Sequence, residues 1–113
     1  IKGVKFCKLK LKRFHSLQLL EEAIAFAHNK GIKIILGDGL GGSINCWMEA
    51  MVANNLIFKA GEYNGLMKIK KQFNYIKNPI KFEKGHLIIE KDWYPKIDKE
   101  KLFALTDYHF ELG

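Results

Sequence analysis

The run Ile-Lys-Ile-Ile-Leu at residues 32–36 constrains the fold more than any other part of the sequence, because it is almost entirely apolar. Such a strand is typical of a parallel sheet covered on both faces, whereas a strand with one face in water alternates apolar and polar residues. Parallel neighbours need a long crossover connection, and helical patterns stand on both sides of the run. The sequence therefore predicts an α/β fold built from βαβ units.

Residues 4–13 predict an earlier strand with an unusual division of its side chains. Alternate residues of a strand share a face, so Lys8, Lys10 and Lys12 lie on one side and the intervening leucines on the other. The lysine face is either a solvated surface or the lining of a pocket, and the pattern alone allows both.

The helix predicted between the two strands spans residues 17–29, with Ser16 as its N-cap and Gly31 at its end. Acidic residues in its first turns suit the positive end of the helix dipole. Its apolar residues recur at helical spacing. The predicted buried stripe consists of Leu17, Leu20, Ile24 and Ala27.

A second helix is predicted after the segment Gly-Asp-Gly-Leu-Gly-Gly, with Ser43 as its N-cap and its end near residue 54. Within it, Glu49 is interpreted as a surface charge. Residues 56–60 predict a third strand. We expect three adjacent parallel strands with both helices on one side of the sheet. The predicted core side of the second helix consists of Ile44, Trp47, Met48 and Met51.

The character of the sequence changes after residue 66. The segment NPIKFEKGHLIIE contains two short β-type runs around a turn at residues 83–85, which is a hairpin pattern. Asp98 stands where it can cap a short terminal helix. We therefore divide the chain into residues 1–66 and 67–113.

Composition narrows the classes of function. The net charge of +7 is spread over lysines along the whole chain, without an arginine-rich or aromatic-interleaved patch, so nucleic acid is not an expected partner. The 2 cysteines and 4 histidines show neither a disulfide framework nor zinc-finger spacing. No signal peptide or apolar run of membrane-spanning length is present, so we expect a cytoplasmic protein without membrane contact. The start at Ile1, almost directly before a strand, is interpreted as the mark of a fragment.

The glycine-rich segment also fits a dinucleotide-binding fingerprint. Gly37, Gly39 and Gly42 match G-x-G-x-x-G between a strand and a helix, and Glu62 follows at about the 20 residues expected for a ribose-binding acid. The fingerprint normally opens its domain, whereas here a strand and a helix come first. A dinucleotide-binding βαβ module is therefore an alternative function.

The chain as a whole resembles the C-terminal region of the enolase superfamily, in particular the muconate-lactonizing subgroup and its mandelate racemase-like relatives. The segments KLKLKRFHSL and GIKIILGDGLGG resemble the sixth and seventh strands of the family's barrel, and KAGEYNGL resembles the eighth. The segment PIKFEKGHLIIEKDWYPKID is similar to the tail that returns to the capping domain. The resemblance implies that residues 1–66 are part of a TIM-type (β/α) barrel and residues 67–113 the hairpin and helix of the tail.

Three departures from the family pattern accompany the resemblance. His15-Ser16 stands where the family usually has Gly-Gly, and DWYPKID stands where it has P-G-L-G. Dipeptide epimerases of the subgroup show D-x-D at the end of the eighth strand, where this chain has Glu62, Tyr63 and Asn64. A dipeptide substrate is therefore not implied.

The resemblance implies α-proton abstraction from a carboxylate substrate, with Mg²⁺ stabilising the enolate, in a cycloisomerase, epimerase or racemase, or dehydratase. Lys10 matches the family's acid/base lysine, and Asp38, Gly39, Glu62 and Asn64 are the implied substrate contacts. A lysine acts as a base near neutral pH only where its neutral form is favoured, and like-charged neighbours and desolvation both favour that form.

The remaining parts of such a site are implied to lie outside this chain. In the family the Mg²⁺ ligands are carboxylates on the third to fifth strands, and a TIM barrel needs about 250 residues. The implied partners are therefore the carboxylate substrate and the rest of the barrel with its capping domain, and a homo-oligomer is compatible with the resemblance. We expect the 113-residue piece to be inactive alone.

Overall fold

The computed structural model describes residues 2–39, 41–57, 59 and 61–112. The chain divides into two compact units, Ile1–Ile69 and Lys70–Gly113. Over the described ranges the fold is mixed α/β, with four α-helices and two sheets of two strands each. None of the helices in this part of the chain is long and apolar enough to cross a membrane.

The first unit is built on two parallel strands joined by a helix. Strand β1, Phe6–Leu9, pairs with β2, Lys33–Leu36, in a register that sets Lys8 beside Ile35. Helix α1, Leu17–Asn29, connects them. The predicted parallel pairing of the first two strands is confirmed. The first strand is shorter than the predicted residues 4–13, because the chain turns into a 3-10 helix at Leu11–Arg13.

Helix α1 begins and ends where the sequence predicts. The Leu19 backbone N–H donates a hydrogen bond of 3.1 Å to Ser16 Oγ, and Gly31 has a φ of 70° after the last turn. Leu20, Ile24 and Ala27 are buried, as predicted. The prediction for Leu17 is wrong: it lies in the first turn, outside the buried cluster, and is 36% exposed.

The turn between the 3-10 helix and α1 contains a strained residue. His15 has a φ of 63°, in the left-handed region that side chains other than glycine rarely adopt. The Ser16 N–H donates to the Phe14 carbonyl oxygen across this residue, at 2.7 Å. The turn thereby redirects the chain from the end of the first strand into the helix.

The sheet has one covered face and one open face. Ile34 and Leu36 are buried against α1 and the following helix, and Leu9 packs against the same cluster. On the other face Ile35 is 39% exposed and Phe6 is 56% exposed. Burial of both faces, expected from the apolar composition of residues 32–36, is therefore found on one face only in the described parts of the chain.

Helix α2, Gly42–Leu56, shares this core with α1, so both helices lie on one side of the sheet, as predicted. Its N-cap is Gly41, which offers no side-chain cap, and the predicted N-cap Ser43 lies inside the helix. The predicted core side is also wrong, since the helix is rotated from it. Apolar side chains occur around most of this helix, so spacing alone does not select its inner face. The buried residues are Cys46, Glu49, Val52 and Ala53, and of the predicted Ile44, Trp47, Met48 and Met51 only Met48 packs against the core among the described residues.

The third predicted strand, residues 56–60, is replaced by a later contact. Leu56 ends α2, and the predicted residues Phe58 and Ala60 lie outside the described residues. The Glu62 N–H donates to the Leu36 carbonyl oxygen at 3.0 Å, and a parallel bridge joins Gly37 to Glu62. A short helix, α3 at Gly65–Lys68, follows.

The second unit contains the predicted hairpin and helix. Strands β3, Lys81–Glu83, and β4, His86–Ile88, are antiparallel. Positive φ angles of 48° at Lys84 and 79° at Gly85 suit the tight turn between them. Helix α4, Lys99–Ala104, is capped as predicted, since Asp98 Oδ1 accepts a 3.1 Å hydrogen bond from the Lys101 N–H.

Two neighbouring leucines of α1 test this core. Leu20 is fully buried and Leu19 is 46% exposed. We expect Leu20→Ala to lower the free energy of unfolding by about 2–5 kcal/mol, because it leaves a cavity. Leu19→Ala should change it by no more than about 0.5 kcal/mol. Urea unfolding followed by circular dichroism measures both, and equal losses would contradict the placement of α1.

Candidate active site

Most of the predicted site residues lie at the carboxyl ends of the two parallel strands. Lys10 directly follows β1, and Asp38 and Gly39 follow β2. The parallel bridge to Gly37 brings Glu62 to the same edge, with Asn64 two residues further on. Ligands of open α/β sheets bind at this edge, so the structure supports a candidate site here.

The lysine side chains lie across glycines of the neighbouring strand end. A Cβ atom on Gly37 would meet Lys8 Cε at 2.7 Å, and one on Gly39 would meet Lys12 Cδ at 2.6 Å. The Lys12 ammonium nitrogen lies 3.5 Å from the Gly39 carbonyl oxygen. Although Lys12 belongs to the 3-10 helix and not to the strand, it thus lies on the same side as Lys8. Side chains at the two glycine positions would displace the lysines.

The three lysines differ in their partners. Lys8 forms an ion pair and hydrogen bond with Glu62, which lowers the pKa of that carboxyl group below its ordinary value. Lys10 has an extended backbone, so its side chain lies on the face of Lys8. Its charge acts on both Glu49 and Glu62, yet its ammonium group donates no hydrogen bond to any described residue. Lys10 is therefore the lysine best placed to meet an added molecule.

Asp38 holds residues 61–65, which we call the third segment, against the end of the sheet. It is 5% exposed, and its Oδ2 accepts a 2.6 Å hydrogen bond from the Gly65 N–H. Its own N–H donates to the Glu62 carbonyl oxygen at 2.8 Å. A Cβ atom on Gly65 would meet the Asp38 carboxylate at 2.8 Å, so glycine is required for this approach. Asp38 thus holds the segment that presents Glu62 and Asn64.

Glu49 is the functional candidate that the sequence analysis missed, and its assignment as a surface charge is wrong. It is fully buried, and its Oε1 accepts a 2.6 Å hydrogen bond from the Leu11 N–H. Burial raises its pKa to about 6, with a further increase from the charge of Asp38, whereas the Leu11 bond, the Asn45 side-chain amide and the charge of Lys10 act the other way. Its spacing of three residues from Cys46 and from Val52 is the signal that could have revealed it.

The surroundings of Glu49 are polar but only partly hydrogen-bonded. Over the described ranges, the buried atoms Glu49 Oε2, Asn45 Nδ2, Tyr63 Oη and Asn64 Oδ1 have no hydrogen-bond partner. Burial raises the pKa of the Tyr63 hydroxyl, as do the nearby charges of Glu49, Cys46 and Asp38. Burial also raises the pKa of the Cys46 thiol to about 12, so this cysteine is protonated at neutral pH and is not a nucleophile.

The carboxylates of this chain do not fit a Mg²⁺ site of their own. The described residues contain no group of three or more histidine, cysteine, aspartate or glutamate side chains that could hold a metal ion. The two buried carboxylates, Asp38 and Glu49, each accept a backbone N–H instead.

No protein-family model, characterised protein or solved structure matches this chain. A functional assignment therefore depends on the residues of the candidate site and on the sequence resemblance. At this site the chain offers the side-chain nitrogen atoms of Lys10 and Lys12 and the carboxylate oxygens of Glu62. This set suits proton transfer next to an anionic group.

The two glutamates should have opposite effects on the pH dependence of stability. The pKa of Glu49 is about 6 in the folded protein against an ordinary 4.5, so the folded state binds more protons between these values and stability falls as pH rises through them. The effect is on the order of 2 kcal/mol. We expect Glu49→Gln to remove this fall, as measured by urea unfolding between pH 4 and pH 7.

Glu62→Gln is the matched control. The pKa of Glu62 is lowered, so its stabilising contribution is present above its ordinary value of 4.5 and is lost as pH falls below it. In this variant the slope of stability against pH should therefore change only below about pH 4.5, and the fall between pH 4.5 and pH 6 should remain. A Glu49→Gln profile that still falls between pH 4.5 and pH 6 would show that Glu49 is not the titrating group.

Proposed function

We propose that the chain supplies the last strands and the C-terminal tail of a TIM-type barrel enzyme similar to the enolase superfamily. In this proposal the enzyme removes the α-proton of a carboxylate substrate, as a cycloisomerase, an epimerase or racemase, or a dehydratase. The observation that carries it is the position of Lys10, which directly follows β1 with an extended backbone, so that its side chain shares the open face with Lys8.

The open face of the sheet supports a barrel. In a closed barrel alternate strand residues point inward and the others face the surrounding helices. Here Leu9, Ile34 and Leu36 face the helices, and Lys8 and Ile35 lie on the opposite face. Exposed apolar side chains on that face cost free energy unless further strands cover them. In this proposal the rest of the barrel and its capping domain are the partners that cover this face.

The chemistry assigned to this chain is a proton transfer at Lys10. The lysine amine takes the α-proton on one face of the substrate carbon and returns a proton in the completing step. The ammonium group of Lys12 attracts the substrate carboxylate, whereas Glu62 already neutralises Lys8. Mg²⁺, when bound by the rest of the barrel, stabilises negative charge on the substrate carboxylate.

The other predicted site residues have separate roles in this proposal. Glu62 and Asn64 line the site from the third segment, and the Asn64 Oδ1 atom is a hydrogen-bond acceptor with no partner among residues 2–39, 41–57, 59 and 61–112. Gly39 leaves space for the side chain of Lys12. Asp38 acts through Gly65 by holding that segment in place.

One observation keeps the dinucleotide-binding alternative open. Glu62 lies beside Gly37 on the neighbouring segment, which is where a ribose-binding acid follows a G-x-G-x-x-G turn. Against it, the side chains of Lys8 and Lys12 lie over Gly37 and Gly39, and Lys8 already pairs with Glu62. These lysines would have to move before the glycine backbone could contact a pyrophosphate.

The central test replaces Lys10 in the complete enzyme. We expect Lys10→Ala to lower turnover and α-proton exchange into D₂O by at least about 10²–10⁴-fold, because a general acid–base group is removed. Lys10→Arg should recover little, since a guanidinium group stays protonated. Proton exchange is followed by NMR on a panel of hydroxy, amino and lactone carboxylates.

Lys30→Ala is the control for this test, because Lys30 is an exposed lysine at the far end of α1. It should retain the exchange rate of the parent enzyme. If Lys10→Ala exchanges α-protons as fast as Lys30→Ala, the lysine face is only a basic lining and the proposed function is wrong.

Calorimetric titration with NAD(H) separates the two functions. We expect no saturable binding at micromolar concentrations, because lysine side chains and the Glu62 pair cover the glycine turn. Saturable binding that is lost on Gly39→Ala or Glu62→Gln would favour the dinucleotide-binding module. Binding that these variants leave unchanged would indicate attraction by the net charge of +7 alone.

A further inference from the structure

Burying the side chain of Glu49, a residue of α2, costs folding free energy. A carboxylate that is removed from water loses several kcal/mol of hydration free energy unless other groups replace the water. Glu49 accepts a 2.6 Å hydrogen bond from the Leu11 N–H, and the Asn45 amide lies near enough to lower its pKa, but Oε2 and Asn45 Nδ2 form no hydrogen bond of ordinary geometry over residues 2–39, 41–57, 59 and 61–112. An apolar side chain of similar volume would fill the same space at lower cost. Packing alone therefore does not account for a glutamate here.

The hydrogen bond that Glu49 accepts from Leu11 reaches the backbone next to Lys10. Leu11 is the first residue of the 3-10 helix, at the point where β1 has ended and the ladder to β2 no longer holds the chain. The length of 2.6 Å is typical of a strong bond to a charged acceptor. Because Leu11 follows Lys10 directly, a fixed position for its N–H also fixes the backbone from which the Lys10 side chain projects.

A second buried carboxylate does the same for the neighbouring segment. Asp38 accepts the Gly65 N–H and so holds the residues that carry Glu62 and Asn64. The two carboxylates lie close enough for the charge of Asp38 to act on Glu49. Both edges of the candidate site are thus tied to the covered side of the sheet through bonds between a carboxylate and a backbone N–H.

We propose that Glu49 is a positioning residue for Lys10: by accepting the Leu11 N–H it holds the end of β1 so that the Lys10 amine stands at the substrate carbon. The inference rests on the proposed function, because it assigns Glu49 a role only through Lys10. This positioning depends on the oxygen atom that accepts the Leu11 N–H, not on the negative charge of Glu49. An amide oxygen can therefore replace the carboxylate, and an apolar side chain cannot.

The test compares Glu49→Met with Glu49→Gln in the complete enzyme. Methionine keeps the volume and cannot hold the N–H, so we expect kcat to fall about 10²-fold with KM changed by less than about threefold, as for a catalytic group displaced by an ångström. Glutamine should restore most of the lost kcat. In the chain itself, hydrogen exchange of the Leu11 amide should accelerate at least about tenfold in Glu49→Met and much less in Glu49→Gln.

Two further variants separate the causes. Val52→Ala removes buried volume from the same helix, where Val52 is 3% exposed, without touching the Leu11 bond. It should lower stability and leave kcat of the folded enzyme unchanged. If Glu49→Met behaves like Val52→Ala while Lys10→Ala is inactive, the positioning role is wrong and the proposed function stands. If Lys10→Ala is active, the proposed function itself is wrong, and an unchanged Leu11 exchange rate in Glu49→Met would refute the holding contact directly.

Discussion

The parallel pairing of β1 with β2 gives the sheet two unlike faces, and the remaining structure of the first unit follows from this difference. Each strand presents alternate residues to the two sides, so the leucines and isoleucines that contact α1 and α2 fix the side on which the lysines lie. A shift of the register by one residue would move the lysines into the helix-covered core. The apolar core therefore also holds the charged face in place.

Much of this fold could be predicted from local chemistry. Ser16 and Asp98 accept the backbone N–H groups of the helices that they begin, and Lys84 and Gly85 form the turn of the hairpin. In the caps and in the turn, the groups that interact lie within a few residues of one another in the sequence. The parallel pairing was also accessible, because the apolar strand and the long crossover leave few other topologies.

The parts that could not be predicted depend on contacts between distant residues. The inner side of α2 is set by its contacts with the end of β1, where Glu49 accepts the Leu11 N–H. The third segment joins the sheet at Glu62, where hydrogen bonds to Leu36 and Asp38 determine its position. The lysine face was visible as a pattern, whereas the unequal partners of Lys8 and Lys10 were not, since they depend on where Glu62 arrives.

The left-handed conformation of His15 bears on the first departure from the family pattern. Holding a residue with a side chain in this region costs about 1–3 kcal/mol, and a glycine would avoid that cost. A glycine would also give the unfolded chain more freedom, which costs about 0.4–1 kcal/mol. The strain is the larger of the two effects, so a glycine would suit the path of the chain at this turn better than the histidine does. What the histidine adds is an exposed imidazole on the loop that follows the lysine-bearing strand, a ring with two hydrogen-bonding nitrogens where glycine would present only backbone.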